Sequence, residues 1–196
     1  MLLVAIWVVW AYPYFFRAPK IQRRQSITVA GPSLSGLLLE TAAILMVWLF
    51  RVSGGWREAP ALWVAALLLG ATGDVLMWTA IKHLGRQFRI QAGLYQDHQL
   101  VRSGPYAVVR HPIYAGLLAM TLATGLLQTP WPWLLAAVAV FVIGTEVRVR
   151  AEDQLLASRF GAEFAEYKKR VPAYVPFVKR LFGTSLSVLK YEYSEK

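Results

Sequence analysis

Long apolar runs separated by short polar stretches dominate the pattern of this chain. Five runs stand out, at about residues 1–16, 34–52, 60–81, 112–128 and 132–147. An α-helix rises 1.5 Å per residue, so about 20 residues cross the roughly 30 Å of bilayer hydrocarbon. Runs two and three have that length, and runs one, four and five are shorter. Only Gln128-Thr129-Pro130-Trp131-Pro132 separates the last two, which is turn chemistry with aromatics at interface depth and predicts a tight helical hairpin. Within residues 147–170, Leu155, Leu156, Phe160, Phe164 and Tyr167 recur near helical spacing, predicting that the fifth span continues as a helix into the aqueous phase. Pro13, Pro172 and Pro176 mark points where helices break or bend. Beyond Pro176, VKRLFGTSLSVLKYEYSEK mixes basic with apolar residues and reads as an interfacial helix with a frayed end. The expected fold is all-α: a polytopic integral membrane protein of about five transmembrane helices with a cytoplasmic helical tail. It forms a single membrane domain over 1–196, with three spans in 1–81, a loop, hairpin and tail helix in 82–180, and an extension over 181–196.

Composition agrees with that pattern. Hydrophobic residues make up 57% and charged residues 16% of the chain, against about 25% charged in a soluble domain. The net charge of +10 would suggest nucleic acid in a soluble protein. Here the basic residues lie between apolar runs, where they set topology and meet anionic headgroups, so no nucleic-acid partner is expected. Arg17, Lys20, Arg23 and Arg24 follow run one without an acid, and Lys82, Arg86, Arg89, Arg102 and Arg110 follow run three opposed only by Asp97. Both loops are therefore expected in the cytoplasm, with the N-terminus outside and the tail from Arg148 inside. Run one lacks the basic leader and small-residue cleavage site of a signal peptide and reads as a mature span. The absence of cysteine excludes disulfides, thiolate metal sites and a cysteine nucleophile.

Two acids stand inside spans, where lipid solvates charge poorly: Glu40 in run two and Asp74 in run three. Counting from the span ends puts both about 10 Å below the same boundary, so they are candidates to share one polar pocket. The alternative is a neutral acid bonded to a neighbouring helix. Gly70 and Gly73 allow the close helix approach that either arrangement needs. His83, His98 and His111 lack metal-ligand spacing, no serine sits in a nucleophile elbow, and no GxGxxG follows a strand pattern, so no metal is expected.

The stretch GPYAVVRHPIYAG, residues 104–116, leads into run four. Pro112 suits a first helical position, and Gly104-Pro105 makes the preceding turn. Backbone donors at that helix start, beside Arg110 and His111, suit an anion. A snorkelling Arg and a His bonded to a carbonyl would account for the same residues. In EVRVRAEDQLL, helical spacing puts Arg148, Glu152 and Leu155 on one face, and an i,i+4 salt bridge contributing a few tenths of a kcal/mol would also explain it.

Together, HQLVRSGPYAVVRHPIYAG and RVRAEDQLLASRFGAEFAEYKKRVPAYVPF closely resemble the isoprenylcysteine carboxyl methyltransferase family of integral membrane enzymes, over roughly residues 85–180. The resemblance implies a methyltransferase that uses S-adenosylmethionine, releases S-adenosylhomocysteine, and holds the cofactor in a cytoplasmic-side pocket made by the last spans and the tail. It implies cofactor contacts at Gln91, His98, Gln99, Leu100 and Val101 in the loop, at Tyr106, His111, Pro112, Ile113 and Tyr114 in the motif, and at Glu152 in the tail helix. Arg148 falls at the catalytic position associated with the acceptor. The family usually carries a run of Glu where this chain has Glu152-Asp153, and the compact architecture resembles prokaryotic members, implying a multi-pass protein of the inner membrane.

Chemistry is consistent with those roles. A cofactor with a sulfonium, an ammonium, a carboxylate and an adenosine needs acids, an anion site and apolar or aromatic walls. A carboxylate acceptor needs no general base, only in-line approach in a dry site, and an arginine can hold it bidentately. The expected partner is thus a lipid or prenylated small molecule or protein carrying a carboxylate. A lipid amine acceptor remains an alternative, as does a noncatalytic membrane protein or transporter in which Glu40 and Asp74 mark an ion path.

Overall fold

The computed structural model describes residues 2–13, 28–29, 31–53, 57–88, 93–94 and 97–174. Five helices occupy the described residues: α1 Leu2–Tyr12, α2 Pro32–Leu49, α3 Pro60–Leu84, α4 Pro112–Gln128 and α5 Trp131–Arg170. The last four each carry proline in the first turn, where its missing N–H costs nothing, so their starts are written into the sequence. α1 ends immediately before Pro13, and α5 ends two residues before Pro172. α2, α3 and α5 are long and apolar enough to cross a membrane, while α1 and α4 are shorter apolar helices. Only Thr129 and Pro130 link α4 to α5, the tight hairpin expected. The interfacial helix expected beyond Pro176 lies outside the described residues.

α5 does run from the fifth span into the tail, but Gly161 interrupts it with φ 48° and ψ −119°, a conformation that side-chain-bearing residues rarely adopt. Two strands of two residues, β1 Thr28–Val29 and β2 Gly93–Leu94, pair antiparallel and tie the loop after α1 to the loop after α3. Such short bridges have no periodic signal, which is why no strand was predicted.

The main helix pairs are α2 with α5 and α3 with α4. Each crosses at facing glycines. A Cβ on Gly144 of α5 would lie 2.8 Å from the Gly36 carbonyl of α2, and one on Gly73 of α3 would lie 2.9 Å from the Gly116 carbonyl of α4. Between membrane helices, where water exclusion supplies little drive, close backbone approach adds dispersion contacts. Gly70 instead faces Ile6 of α1, so the two glycines of α3 serve different neighbours. α1 is held further by Trp78 Nε1, which donates to the Val9 carbonyl at 3.1 Å, and by Tyr12 stacked on Trp78.

At its C-terminus α4 is closed by the loop before α3. Arg57 Nη1 donates to the Leu126 carbonyl and Nη2 to that of Thr129, both at 2.7 Å, and the Arg57 backbone N–H donates to Leu127. Val52 N–H donates to the Gln128 carbonyl. The Arg57 guanidinium lies 4.3 Å from the Trp131 ring centroid. Gln128 Nε2 and Thr129 Oγ1 both donate to the Val47 carbonyl, joining α4 to α2. These groups satisfy the carbonyls that a helix end leaves orphaned, with a cation at the negative end of the dipole.

Candidate active site

At the opposite end, where α2 begins and α3 ends, the bundle opens into a cavity of about 350 Å³. That volume suits a small-molecule ligand. Trp7 and Trp10 of α1 and Leu37, Glu40, Thr41 and Ile44 of α2 form one wall. The end of α3 and the following loop contribute Leu84, Gln87, Phe88 and Leu94. Arg148, Glu152, Leu155, Leu156 and Tyr167 close it from α5.

The RHP motif is locked onto α5 and the segment after it. Arg110 and His111 donate their backbone N–H groups to the carbonyls of Pro172 and Ala173, each at 2.8 Å. Arg110 Nη1 donates to the Val171 carbonyl at 2.6 Å and Nη2 to Asp153 Oδ2 at 2.9 Å. The Tyr167 hydroxyl, pushed up to about 12 first by burial, stays protonated and donates to the Tyr106 carbonyl at 2.6 Å. Pro112, which cannot donate, then starts α4.

His111 sits between two carboxylates. Its Nδ1 lies 3.1 Å from Glu152 Oε2 and its Nε2 lies 3.1 Å from Asp153 Oδ1. The Tyr114 hydroxyl donates to Glu152 Oε1. Burial opposes a charge on the His111 ring, but its hydrogen bonds to Asp153 and Glu152 outweigh that and hold the imidazole above its ordinary value. The same bonds act in reverse on the acids. Burial pushes both carboxyls up, yet their bonds to His111 win and hold Glu152 below its ordinary value and Asp153 well below the usual carboxylate range. The anion expected at this helix start is therefore supplied by the protein itself.

Arg148 forms no intrahelical pair with Glu152. Its Nη1 donates instead to Glu40 Oε2 across the bundle at 2.6 Å, and Thr145 Oγ1 donates to Glu40 Oε1 at 2.9 Å. The guanidinium lies 4.7 Å from the Tyr114 ring centroid. Gly36 makes this contact possible, because a Cβ there would strike Arg148 Cγ at 2.5 Å. Within helix α5 the i,i+4 pairs are instead Glu146 with Arg150 and Glu166 with Arg170, both at the surface. Glu40 and Asp74 do not share a pocket. Glu40 lines the cavity, whereas Asp74 lies outside its wall with Oδ1 enclosed and without a hydrogen-bond partner. The two helices pack on different partners, which turns the two acids apart.

Of the residues implied by the resemblance, His98, Gln99, Leu100 and Val101 lie on the cavity wall. So do Tyr106, His111, Ile113, Tyr114, Arg148 and Glu152. Pro112 is buried but is not part of the wall, because its ring serves the helix start. Gln91 lies outside the described residues. The wall also holds Trp7, Trp10 and Gln87, which carried no signal in the sequence. Gln87 Oε1 is buried there without a hydrogen-bond partner. Buried polar atoms are nearly always paired, so this one is an acceptor available to a ligand donor.

Fold and site together define a polytopic α-helical membrane protein with a ligand-sized, charged cavity at one end of its bundle. Residues 64–158 match the model of the isoprenylcysteine carboxyl methyltransferase (ICMT) family. The chain is similar to that family over those residues, just under half of its length. It is 38% identical over 109 residues to protein-S-isoprenylcysteine O-methyltransferase B of Arabidopsis thaliana, covering 54% of this chain and 55% of the relative. It is 31% identical over 167 residues to protein-S-isoprenylcysteine O-methyltransferase of Mus musculus, covering 81% of this chain and 59% of the relative. Similarity extends to the cobalt-zinc-cadmium resistance protein CzcN of Cupriavidus metallidurans, at 34% over 130 residues, covering 63% of this chain and 56% of that protein. The chain thus spans a little over half the length of the curated relatives it matches.

Proposed function

We propose that this chain is an S-adenosylmethionine-dependent methyltransferase that O-methylates the carboxylate of an isoprenylcysteine or a similar lipid. The observation that carries the reading is that one cavity joins a charged end, at Glu152 and His111, to Arg148 and to an apolar wall of Trp7, Leu37 and Ile44 on the apolar helices. A charged methyl donor and a lipid acceptor can meet there. The relatives named above as isoprenylcysteine O-methyltransferases support the same assignment.

S-adenosylmethionine supplies an electrophilic methyl group when bound. Glu152, kept ionised by His111 and Tyr114, suits its ammonium or ribose hydroxyls, and the free acceptor of Gln87 suits an amino group. His98, Gln99, Leu100, Val101, Tyr106, Ile113 and Tyr114 complete that part of the pocket. Arg148, fixed by Glu40, presents an oriented cation to the acceptor carboxylate. No residue has to remove a proton, because the acceptor is already ionised. The apolar walls exclude water, which strengthens each electrostatic contact. We place the cavity at the cytoplasmic boundary of a prokaryotic inner membrane, since the arginine- and lysine-rich segments after runs one and three lie on that side by the charge rule.

Calorimetry of the detergent-solubilised protein with S-adenosylhomocysteine tests the cofactor: saturable binding is expected, and none to folded protein would sink the reading. Labelled methyl donor with an isoprenylcysteine or a host lipid extract, followed by product mass, tests the acceptor. A lipid amine acceptor is the second reading. The Glu40–Arg148 pair favours it, because an arginine already neutralised repels an amine less. A product carrying the methyl on nitrogen would decide for it.

A further inference from the structure

Asp153 is absent from the cavity wall and only 5% exposed, yet it is closely surrounded by basic side chains. Three basic side chains reach it: Arg110 Nη2 at 2.9 Å, Lys168 Nζ at 2.8 Å and His111 Nε2 at 3.1 Å. Arg110 is itself anchored on the Val171 carbonyl, so the carboxylate is held from both sides of the Gly161 break.

We infer that Asp153 is a positioning residue that keeps His111 as an imidazolium, and that this charged ring holds Glu152 in the geometry that receives the methyl donor. The second half rests on the methyl-donor reading of the cavity. A neutral imidazole donates from one nitrogen only, so with a carboxylate oxygen 3.1 Å from each nitrogen it would aim a lone pair at one of them. With both carboxylates ionised, only the doubly protonated ring satisfies both. Glu152 then receives one donor on each oxygen, His111 on Oε2 and Tyr114 on Oε1, which fixes the carboxylate plane against the cavity. Asp153 touches neither cavity nor ligand and acts through the ring.

A pH dependence follows. The groups around the ring are Glu152 and Asp153 of α5 and Tyr114 of α4, with Arg110, Arg148, Lys168 and the cavity-lining Tyr106 one contact further away. His111 is held above its ordinary value, so the bracketed state is complete at lower pH and is lost as pH rises through the folded value. Neutralising Asp153 lowers that midpoint.

The test uses the full chain in detergent. Nitrogen-15 NMR of the histidine rings, with His111→Gln assigning the signal among three histidines, follows protonation of the unliganded protein from pH 6 to 8.5. Calorimetry follows S-adenosylhomocysteine affinity over the same range for wild type, Asp153→Asn and Asp153→Glu. The wild-type ring should carry two N–H protons at pH 7. Asp153→Asn should lower the midpoint by about one pH unit, weakening binding about 10-fold near pH 8 and leaving it close to wild type at pH 6. Asp153→Glu, which keeps the charge, should lie nearer wild type. A neutral wild-type ring at pH 7, or an affinity loss in Asp153→Asn that is equal at every pH, overturns the proposal. Absence of saturable binding by wild type overturns the methyl-donor reading and the Glu152 half with it, while the ring titration still decides the Asp153–His111 half.

Discussion

The two ends of α4 bury polar groups in opposite ways. At the C-terminal end, Arg57, Gln128 and Thr129 meet backbone carbonyls over short distances, and the cation complements the helix dipole. At the N-terminal end, Glu40, Glu152 and Asp153 face Arg110, His111, Arg148 and Lys168. Four members of that second cluster, Glu40, His111, Arg148 and Glu152, line a cavity, whose wall also holds an unmatched acceptor on Gln87. Burying paired charges gains little stability over apolar packing, so a protein that gathers them around a void at one end and closes the other end with one arginine has divided function from architecture.

The sharpest way to break this division is at Glu152. Glu152→Ala removes one partner of a buried charged network, an effect of about 3 kcal/mol, and should weaken S-adenosylhomocysteine about 100-fold by calorimetry. Unchanged affinity would take Glu152 out of the site. At the other end, Arg57→Ala leaves helix-end carbonyls unsatisfied and should cost about 2 kcal/mol in a detergent unfolding assay, with ligand affinity of the folded protein unchanged. Parallel losses of stability and affinity would show that the ends are coupled rather than divided.

Arg148→Lys is a finer probe. Arg148→Ala would strand Glu40 as an uncompensated buried charge and confuse folding with function. Lysine keeps the charge but loses the planar fork, so kcat/KM for a carboxylate acceptor should fall about 10-fold with cofactor affinity held. Equal turnover would argue that Arg148 supplies charge alone. The smallest effect is expected at Gly161, where no atom lies within 4 Å of an added Cβ and only φ 48° opposes it. Gly161→Ala should cost about 1 kcal/mol, read as faster hydrogen exchange in residues 162–170.

Much of the fold was legible because its signals are local. Apolar run length marks the spans, proline in the first turn marks where α2, α3, α4 and α5 begin, and the Thr129-Pro130 link makes the hairpin. The site was legible in part. His111, Tyr114, Arg148 and Glu152 were visible because they fall in two short motifs, and their roles came from resemblance rather than from spacing. Asp153 shows in the sequence only as a departure from the family's usual run of Glu, and Gln87, Trp7 and Trp10 carry no signal, since nothing within a few residues distinguishes a cavity wall from a lipid-facing surface.

By itself, then, the sequence determined the class of protein, the order of its helices and the motif pair that resembles a known family, all properties carried by neighbours along the chain. The tertiary structure decided which charges meet. Arg148 and Glu40 are 108 residues apart, and Asp153 and Arg110 are 43 apart. The first pairing depends on the glycine crossing that brings α2 to α5. Coulomb attraction reaches only the partner that packing supplies, so a charge that reads as an isolated liability in a span becomes one half of a site only once the helices are in contact.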